Sequence, residues 1–390
     1  MNTMNYTANL YNLAALLEEQ SIPYQFIAET ALFLQGVPVE LGKILVEVQW
    51  DLIENVHDHV KSYNPTPLER DQSSGRFQFG MNGINVEVLC KYNTALRTDP
   101  YRIQVKHEGS TYWCRSFYSE MSPPSKFTNL VREHLGHQQR GITEQNESAW
   151  NQNNYQALIN RYGTPDQVAE KIKRNPEARI GAFYSYMDPV EGKRIAHLMG
   201  SNGIKAAGLS LLGAEVTVVD FSQENAAYAG EVADATGITI DYIVSDVLSL
   251  EAEGDFDIVL MELGVLHYFI DLKPLMQKIT SLLRPGGKFV LHEFHPISTK
   301  LITSNGKKHK VTGNYFDPTI QSRQVAFTKY ASNGDTPITN VLQRKWTLGE
   351  LITAVAAEGL AIKVLEEEPN QKTHDFGLPK TFTLVAQKII

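Results

Sequence analysis

The sequence predicts an α/β protein: a doubly wound sheet closed by a C-terminal antiparallel strand pair, preceded by a smaller α+β domain. From Gly192 onward, strand-like and helix-like segments alternate, the order that builds a parallel sheet covered by helices on both faces. Between the first of those strands and the first helix lies the turn Gly200-Ser201-Asn202-Gly203. Before residue 136, alternating runs are instead joined by tight turns, the mark of hairpins. A chain of 390 residues exceeds one ordinary core, so two domains are expected.

In the first domain, residues 1–135, LYNLAALLEE has helical spacing and ILVEVQW alternates like a strand. RFQFGMNGINVEVLC reads as a hairpin turning at Asn82-Gly83, the pair best suited to positive φ at both central positions. RIQVKHEGSTYW is a second hairpin, and SKFTNLVREHL closes the domain as a helix. Residues 136–154, GHQQRGITEQNESAWNQNN, are polar and aperiodic and predict a linker.

The second domain spans residues 155–390. TPDQVAEKIKR begins with a capping box, Thr164 capping, Pro165 in the first helical position and Gln167 reaching back. The strands KRIAHL, EVTVVD, IDYIVSD, DIVLMEL and KFVLHEF then alternate with the helices IKAAGLSLL, SQENAAYAGEVADATG and LKPLMQKITSLL. TLGELITAVAAEG is the last helix, and AIKVLEEE and TFTLVAQK form an antiparallel edge pair.

Composition narrows the function classes. Hydrophobic residues at 42% and charged residues at 21% fit a globular protein and exclude disordered or fibrous classes. A net charge of -8 gives no overall basic footprint for nucleic acid. The basic run Lys307, Lys308, His309 and Lys310 reads as a solvated loop. Two cysteines, Cys90 and Cys114, lack metal-ligand spacing and point to a reducing compartment. With no signal-peptide pattern and no apolar run of membrane-spanning length, the expectation is a soluble, cytoplasmic protein.

In doubly wound sheets, ligands bind outside the carboxyl ends of the strands. The GSNG turn offers close backbone approach and a helix start whose N–H groups suit an anion. Asp220 ends the second strand about 20 residues further on, the distance at which a carboxylate accepts from a ribose diol. Asp246 ends the third strand, placed to accept from an adenine amine. An acidic residue there is also a candidate helix cap, above all Asp220 before SQENAAYA.

These segments resemble, in order and spacing, the motifs of class I S-adenosylmethionine-dependent methyltransferases: GKRIAHLMGSNGIKAAGLSLLGAEVTVVDFS, IVSDV, DIVLMELGVLHYF and LLRPGGKFVL. The resemblance implies a Rossmann-like fold, S-adenosylmethionine as cofactor and methyl transfer; the acceptor is not identified by the sequence, a small molecule being favoured over nucleic acid. By the same resemblance Gly200, Ser201, Asn202 and Gly203 hold the methionine end, Asp220 with Phe221 and Ser222 the ribose, and Asp246 with Val247 the adenine. Glu262 and Leu263 line the site. The chain departs from the family where His197 stands in place of the usual acidic residue that opens the loop. An NAD-dependent oxidoreductase fits less well, since the G-x-G-x-x-G fingerprint and any Tyr-x-x-x-Lys pair are missing.

A general base is needed only if the acceptor keeps a proton. The candidates are His267, Tyr268, Glu293 and His295; for His267 and Tyr268, packing at a helix start is an equal alternative. No metal site is expected, because His292 and His295 point to opposite faces of a strand. Trp150, Tyr155 and Tyr162 belong either to an aromatic lid or to the buried face of an added helix, and the insertion 296–344 completes the expected acceptor pocket.

IPYQFIAETALFLQGVP, ILVEVQWD and INVEVLC resemble, more faintly, the nucleotidyltransferase fold. Ala28-Glu29 stand at the small-residue pair, Glu47, Gln49 and Asp51 on the carboxylate strand, and Glu87 as the third acid. With that set incomplete, the domain reads as noncatalytic. The alternatives to a methyltransferase with an accessory domain are a bifunctional nucleotidyl and methyl transferase and a noncatalytic cofactor-binding protein.

Overall fold

The computed structural model describes residues 3–187, 189–251, 254–305, 308–330, 339–371 and 377–389; Lys307 lies outside them. The chain divides into two compact units, Met1–Gly136 with Phe316–Pro318, and His137–Tyr315 with Thr319–Ile390.

The first unit runs α1 (Thr3–Glu19), β1 (Tyr24–Phe26), α2 (Ala28–Leu34), β2 (Ile44–Val48) and α3 (Ile53–His59), then β3 (Glu69–Arg70), β4 (Ser74–Met81), β5 (Ile84–Lys91), β6 (Arg102–His107) and β7 (Ser110–Arg115). The strands form one sheet in the order β3-β4-β5-β2-β1-β7-β6. Both expected hairpins are present. Asn82 and Gly83 have φ of 48° and 81°, Glu108 and Gly109 of 46° and 83°, the paired positive values a two-residue turn requires. Phe26, Val46 and Val88 bury one sheet face in a core with Leu13 and Leu17 of α1.

The carboxylates of this unit do not gather as the resemblance implied. β2 ends at Val48, so Gln49 and Asp51 leave the strand instead of sharing the face of Glu47. Gln49 accepts from the Leu96 amide at 3.1 Å, and Asp51 lies exposed in a turn. Glu47 is buried and accepts from Gln25 Nε2 at 2.9 Å, while the same nitrogen donates to Asp99 at 2.9 Å. Glu87 pairs with Lys43 and Glu29 with Lys126 at 2.9 Å.

Residues 136–154, expected as a linker, are largely helical: α4 spans Thr128–Trp150. Its buried positions are Val131, Leu135, Gln139, Ile142, Asn146 and Ala149, a three-to-four spacing that is helical. The stripe escapes a hydrophobicity reading because two of its members are amides. Each is satisfied by backbone: Gln139 bonds the Tyr268 carbonyl and the Ile270 amide, and Asn146 both polar groups of Leu342.

The second unit continues with α5 (Asn154–Tyr162), α6 (Pro165–Arg174), α7 (Pro176–Ile180), β8 (Arg194–Leu198), α8 (Ile204–Leu211), β9 (Glu215–Asp220), α9 (Gln223–Thr236), β10 (Asp241–Val244), β11 (Phe256–Glu262), α10 (Leu272–Leu282) and β12 (Leu283–Phe294). The insertion contributes β13 (Ile302–Asn305), β14 (Lys308–Val311), β15 (Ile320–Arg323) and β16 (Val341–Arg344), and the chain closes with α11 (Leu348–Ala357), β17 (Leu360–Pro369) and β18 (Pro379–Lys388). The capping box on α6 forms as expected. The main sheet has the order β10-β9-β8-β11-β12-β18-β17. Its first five strands are parallel, while β18 inserts antiparallel between β12 and β17 and leaves β17 at the edge.

Helices cover both faces. Leu275 and Ile279 of α10 and Leu351 and Val355 of α11 share one core with Val259 and Phe289. Ile180 of α7 and Leu209 of α8 pack with Val218 and Leu260 on the other, where α6 and α9 add Ile172 and Val232. The strand order reverses between β8 and β11, so the carboxyl ends of β8, β9 and β11 open on a common crevice. No helix among the described residues is long and apolar enough to cross a membrane.

The first unit yields a direct test. Glu47 is engaged by Gln25, Glu87 by Lys43, and among the described residues no three His, Cys, Asp or Glu side chains are grouped to hold a metal. The full-length chain with magnesium or manganese is therefore expected to incorporate no labelled nucleotide; incorporation that disappears in Glu47→Ala would contradict this.

Candidate active site

The turn between β8 and α8 is built from unusual backbone. Met199, Ser201 and Gly203 have φ of 54°, 48° and 69°, and a Cβ on Gly203 would lie 2.6 Å from that of Ala229. Glycine at 203 thus satisfies both the positive φ and the close approach of α8 to α9. Asp220, at the end of β9, locks this turn to the next helix. Its Oδ2 accepts from the Ser201 amide at 3.1 Å, and its Oδ1 from the Ser222 amide at 2.9 Å and from Asn225 Nδ2 at 3.2 Å. Burial raises its pKa, and these three donors pull the other way. A carboxylate offers about four acceptor positions, so capacity for a ligand hydroxyl remains. The cap of α9 is Ser222 and not Asp220.

Glu262, at the end of β11, pairs with Lys205 in the first turn of α8. His197 lies behind it on β8, fully buried, with Nε2 3.5 Å from Glu262 Oε1. Burial lowers the His197 pKa to about 3, with Lys205 adding to the effect, so the ring is neutral. Burial likewise brings Lys205 down to about 8.

Asp220, Glu262 and Lys205 face a cavity of about 670 Å³. Of the residues expected from the sequence, Gly200, Ser201, Asn202, Asp220, Phe221, Glu262, Leu263, His267 and Tyr268 line it. Asp246 and Val247 lie beside it, in a narrow cleft that shares Asp220, Phe221 and Tyr268 with the main cavity and is walled by Gln139 and Asn146 of α4. Burial raises the Asp246 pKa, and its side chain accepts from the Leu248 amide. Trp150 and Tyr162, and from the insertion Gln324, Phe327 and Gln343, also reach the wall. Tyr155 does not: its ring packs on Tyr228.

Four expected site residues have other work. Ser222 is fully buried and caps α9 while donating to Asn151. Gly203 is the N-cap of α8. Glu293 is buried, and its carboxylate accepts from the amides of Gly264 (2.6 Å), Val265 (2.9 Å), Leu266 (3.3 Å) and Phe294 (2.7 Å). With its oxygens occupied, it holds the loop after β11 and does not serve as a base. His295 is buried, paired through Nε2 with Glu367 at 2.6 Å, and its Nδ1 accepts from the Ile297 amide at 3.1 Å. His292 stacks on Phe183 and bonds Thr383.

His267 faces the cavity, but burial, reinforced by Lys345, lowers its pKa to about 3. The ring is thereby held neutral. Tyr268 is raised to about 12 by burial and accepts from Trp150 Nε1 at 3.0 Å. Sequence reasoning passed over Lys205, whose signal was a lone basic residue directly after the GSNG turn. It also passed over Arg161, whose guanidinium sits on the rings of Tyr162 and Phe327 at the cavity wall.

Residues 199–291 match the family model described as methyltransferase domain. A ubiquinone biosynthesis O-methyltransferase of Paramagnetospirillum magneticum is 31% identical over 119 residues, 30% of this chain and 47% of the relative. One of Methylocella silvestris is 35% identical over 100 residues, 25% of this chain and 39% of the relative. The chain thus spans about half the length of the curated relatives it matches. An S-adenosylmethionine-dependent methyltransferase from Mesorhizobium loti, solved by crystallography, is 23% identical with a TM-score of 0.42, covering 53% of this chain and 96% of its own. Residues 199–291 are thus similar to a methyltransferase domain.

The buried histidines make stability pH-dependent in a definite direction. His197 and His267 have folded pKa values near 3 against an ordinary 6.5, so between those values the unfolded chain binds more protons. Their contribution is complete above pH 6.5 and is lost as the pH falls toward 3, with a slope of at most about 1.4 kcal/mol per pH unit for each. Urea denaturation across this range is expected to give a flatter stability profile for His197→Gln than for the wild type; parallel profiles would show that His197 is not buried neutral.

Proposed function

We propose that this chain transfers a methyl group from S-adenosylmethionine to an oxygen or nitrogen of a small-molecule acceptor bound in the same cavity. The observation that carries the reading is the convergence of the 200–202 turn, Asp220, Glu262, His267 and Tyr268 on one cavity at the carboxyl ends of the parallel strands. Its volume of about 670 Å³ lies well inside the range of ligand sites, roughly 300–1,000 Å³, and suits two small reactants. When bound, the cofactor supplies a sulfonium methyl with a neutral thioether as leaving group.

The residues present fit that group. Asp220 retains acceptor capacity for ribose hydroxyls, the turn presents backbone at close range, and Asp246 stands at the adjoining cleft. Elsewhere the wall combines the rings of Trp150, Tyr162 and Phe327 with the cations Arg161, Lys171 and Arg179, and it suits an organic acceptor whose nucleophile must be positioned and desolvated. His267 is held neutral and acts as an acceptor that orients the nucleophile's hydrogen, while neutral Tyr268 contributes a fixed polar edge. A cytoplasmic location belongs to this reading, in keeping with Cys90 and Cys114 as free thiols.

Two outcomes are expected. Asp220→Ala weakens S-adenosylmethionine binding about ten- to a hundredfold by calorimetry, the worth of a hydrogen bond to a charged acceptor; undiminished affinity would remove Asp220 from the site, and preference for NAD would remove the reading. Once an acceptor is found, His267→Asn lowers kcat while leaving cofactor affinity within about twofold. The wild-type rate profile shows no inflection near pH 6.5; an inflection there that vanishes in the variant would show His267 acting as an ordinary titrating base.

A further inference from the structure

We infer that Lys205 and Glu262 together form the receptor for the α-amino-acid end of the cofactor, Lys205 taking its carboxylate and Glu262 its ammonium. The inference rests on the reading above and assigns the part of the ligand that the glycine turn alone does not discriminate.

The pair stands at the cavity wall and is largely withdrawn from solvent, with side chains 23% and 13% exposed. A lysine in the first turn of a helix opposes the helix dipole, and its withdrawal from water carries a desolvation cost that a single ion pair offsets only in part. Such a cation is retained where an anion is to be bound. The Lys205 ammonium also lies 5.0 Å from the centroid of the Phe183 ring. An anion placed at Lys205 is favoured as well by the N–H groups that open α8.

The partner acid reaches the site from an unexpected strand. His197 occupies the position at which the resembling family carries its acidic loop residue, and both of its ring nitrogens are buried without a hydrogen-bond partner. His197 pairs in register with Leu260 of β11, so Glu262, two residues on, projects on the same face beyond it. Of the two carboxylates lining the cavity, Asp220 is already engaged by three donors. Glu262 has a single cation opposite it. A zwitterion laid against Lys205 and Glu262 completes a square of alternating charges, which requires no separation of the existing pair.

The test uses the full-length chain and calorimetry with three probes: S-adenosylhomocysteine, its decarboxylated analogue, and 5′-methylthioadenosine, which lacks the amino-acid end. In the wild type, S-adenosylhomocysteine is expected to bind at least about tenfold more tightly than either truncated ligand. Lys205→Met should erase most of the advantage over the decarboxylated analogue and leave 5′-methylthioadenosine within about twofold of its wild-type affinity. Glu262→Gln should lower S-adenosylhomocysteine binding similarly, and Lys205→Arg should retain it. Equal wild-type affinities for all three probes, or a Lys205→Met effect shared by 5′-methylthioadenosine, overturns the assignment while leaving the methyltransferase reading intact. Absence of binding by any of the three overturns both. The wild-type comparison requires no variant, so it decides the matter even if Lys205→Met does not fold.

Discussion

The carboxylate of Asp220 is the constraint on which the crevice depends. It is buried at the end of β9 and accepts at once from the turn after β8, from the start of α9 and from Asn225 inside that helix. Three segments distant in sequence are thereby held at one point, and the strained φ values of Met199 and Ser201 are retained because the surroundings over-determine them. Burial alone would favour the neutral acid; the donors favour the anion. The same group that closes the scaffold keeps acceptor capacity at the cavity wall, so in the proposed function stability and ligand recognition share one side chain.

A second carboxylate does comparable work on the other side. Glu293 accepts four backbone amides, three of them from residues 264–266, and this ties the loop after β11 back onto β12. His267 and Tyr268 follow immediately and reach the cavity because that loop is fixed. Trp346 Nε1 bonds the carbonyls of Leu266 and Phe269, and Gln139 closes the far end at Tyr268 and Ile270. Irregular backbone is thus held at the site by buried polar side chains, each partnered, as is required of polar groups removed from water.

The charge arrangement differs from what the family resemblance implied. The loop position of the usual acid holds a neutral histidine, and the acid stands on the neighbouring strand, paired with a lysine from the helix. Moving a carboxylate across two adjacent parallel strands preserves its place at the crevice, because register sets which side chains meet. Burial, through its cost for charge, also settles protonation: His197 and His267 are neutral and Tyr268 is a phenol across the physiological range.

By itself the amino-acid sequence determined the alternating strands and helices, both tight hairpins, the capping box at Thr164, and the placement of Gly200, Asp220 and Glu262 at a crevice. Each is a local or periodic property, carried by residues within a few positions of one another or by the rule that loops follow strand ends. Tertiary structure decided what depends on partners far along the chain. It turned residues 137–150 into helix, since Gln139 and Asn146 are buried only where the backbone of 268–270 and 342 receives them. It occupied the hydrogen-bonding atoms of the candidate bases Glu293 and His295, and it gave Ser222, expected beside the ribose, to the cap of α9. It separated Gln49 and Asp51 from Glu47 by ending β2 at Val48, and it paired Lys205 with Glu262 across a distance in sequence that no pattern reports. Periodicity specifies which face a residue takes; only the fold specifies what stands opposite, and for buried charged and polar groups the opposite partner sets protonation, availability and function.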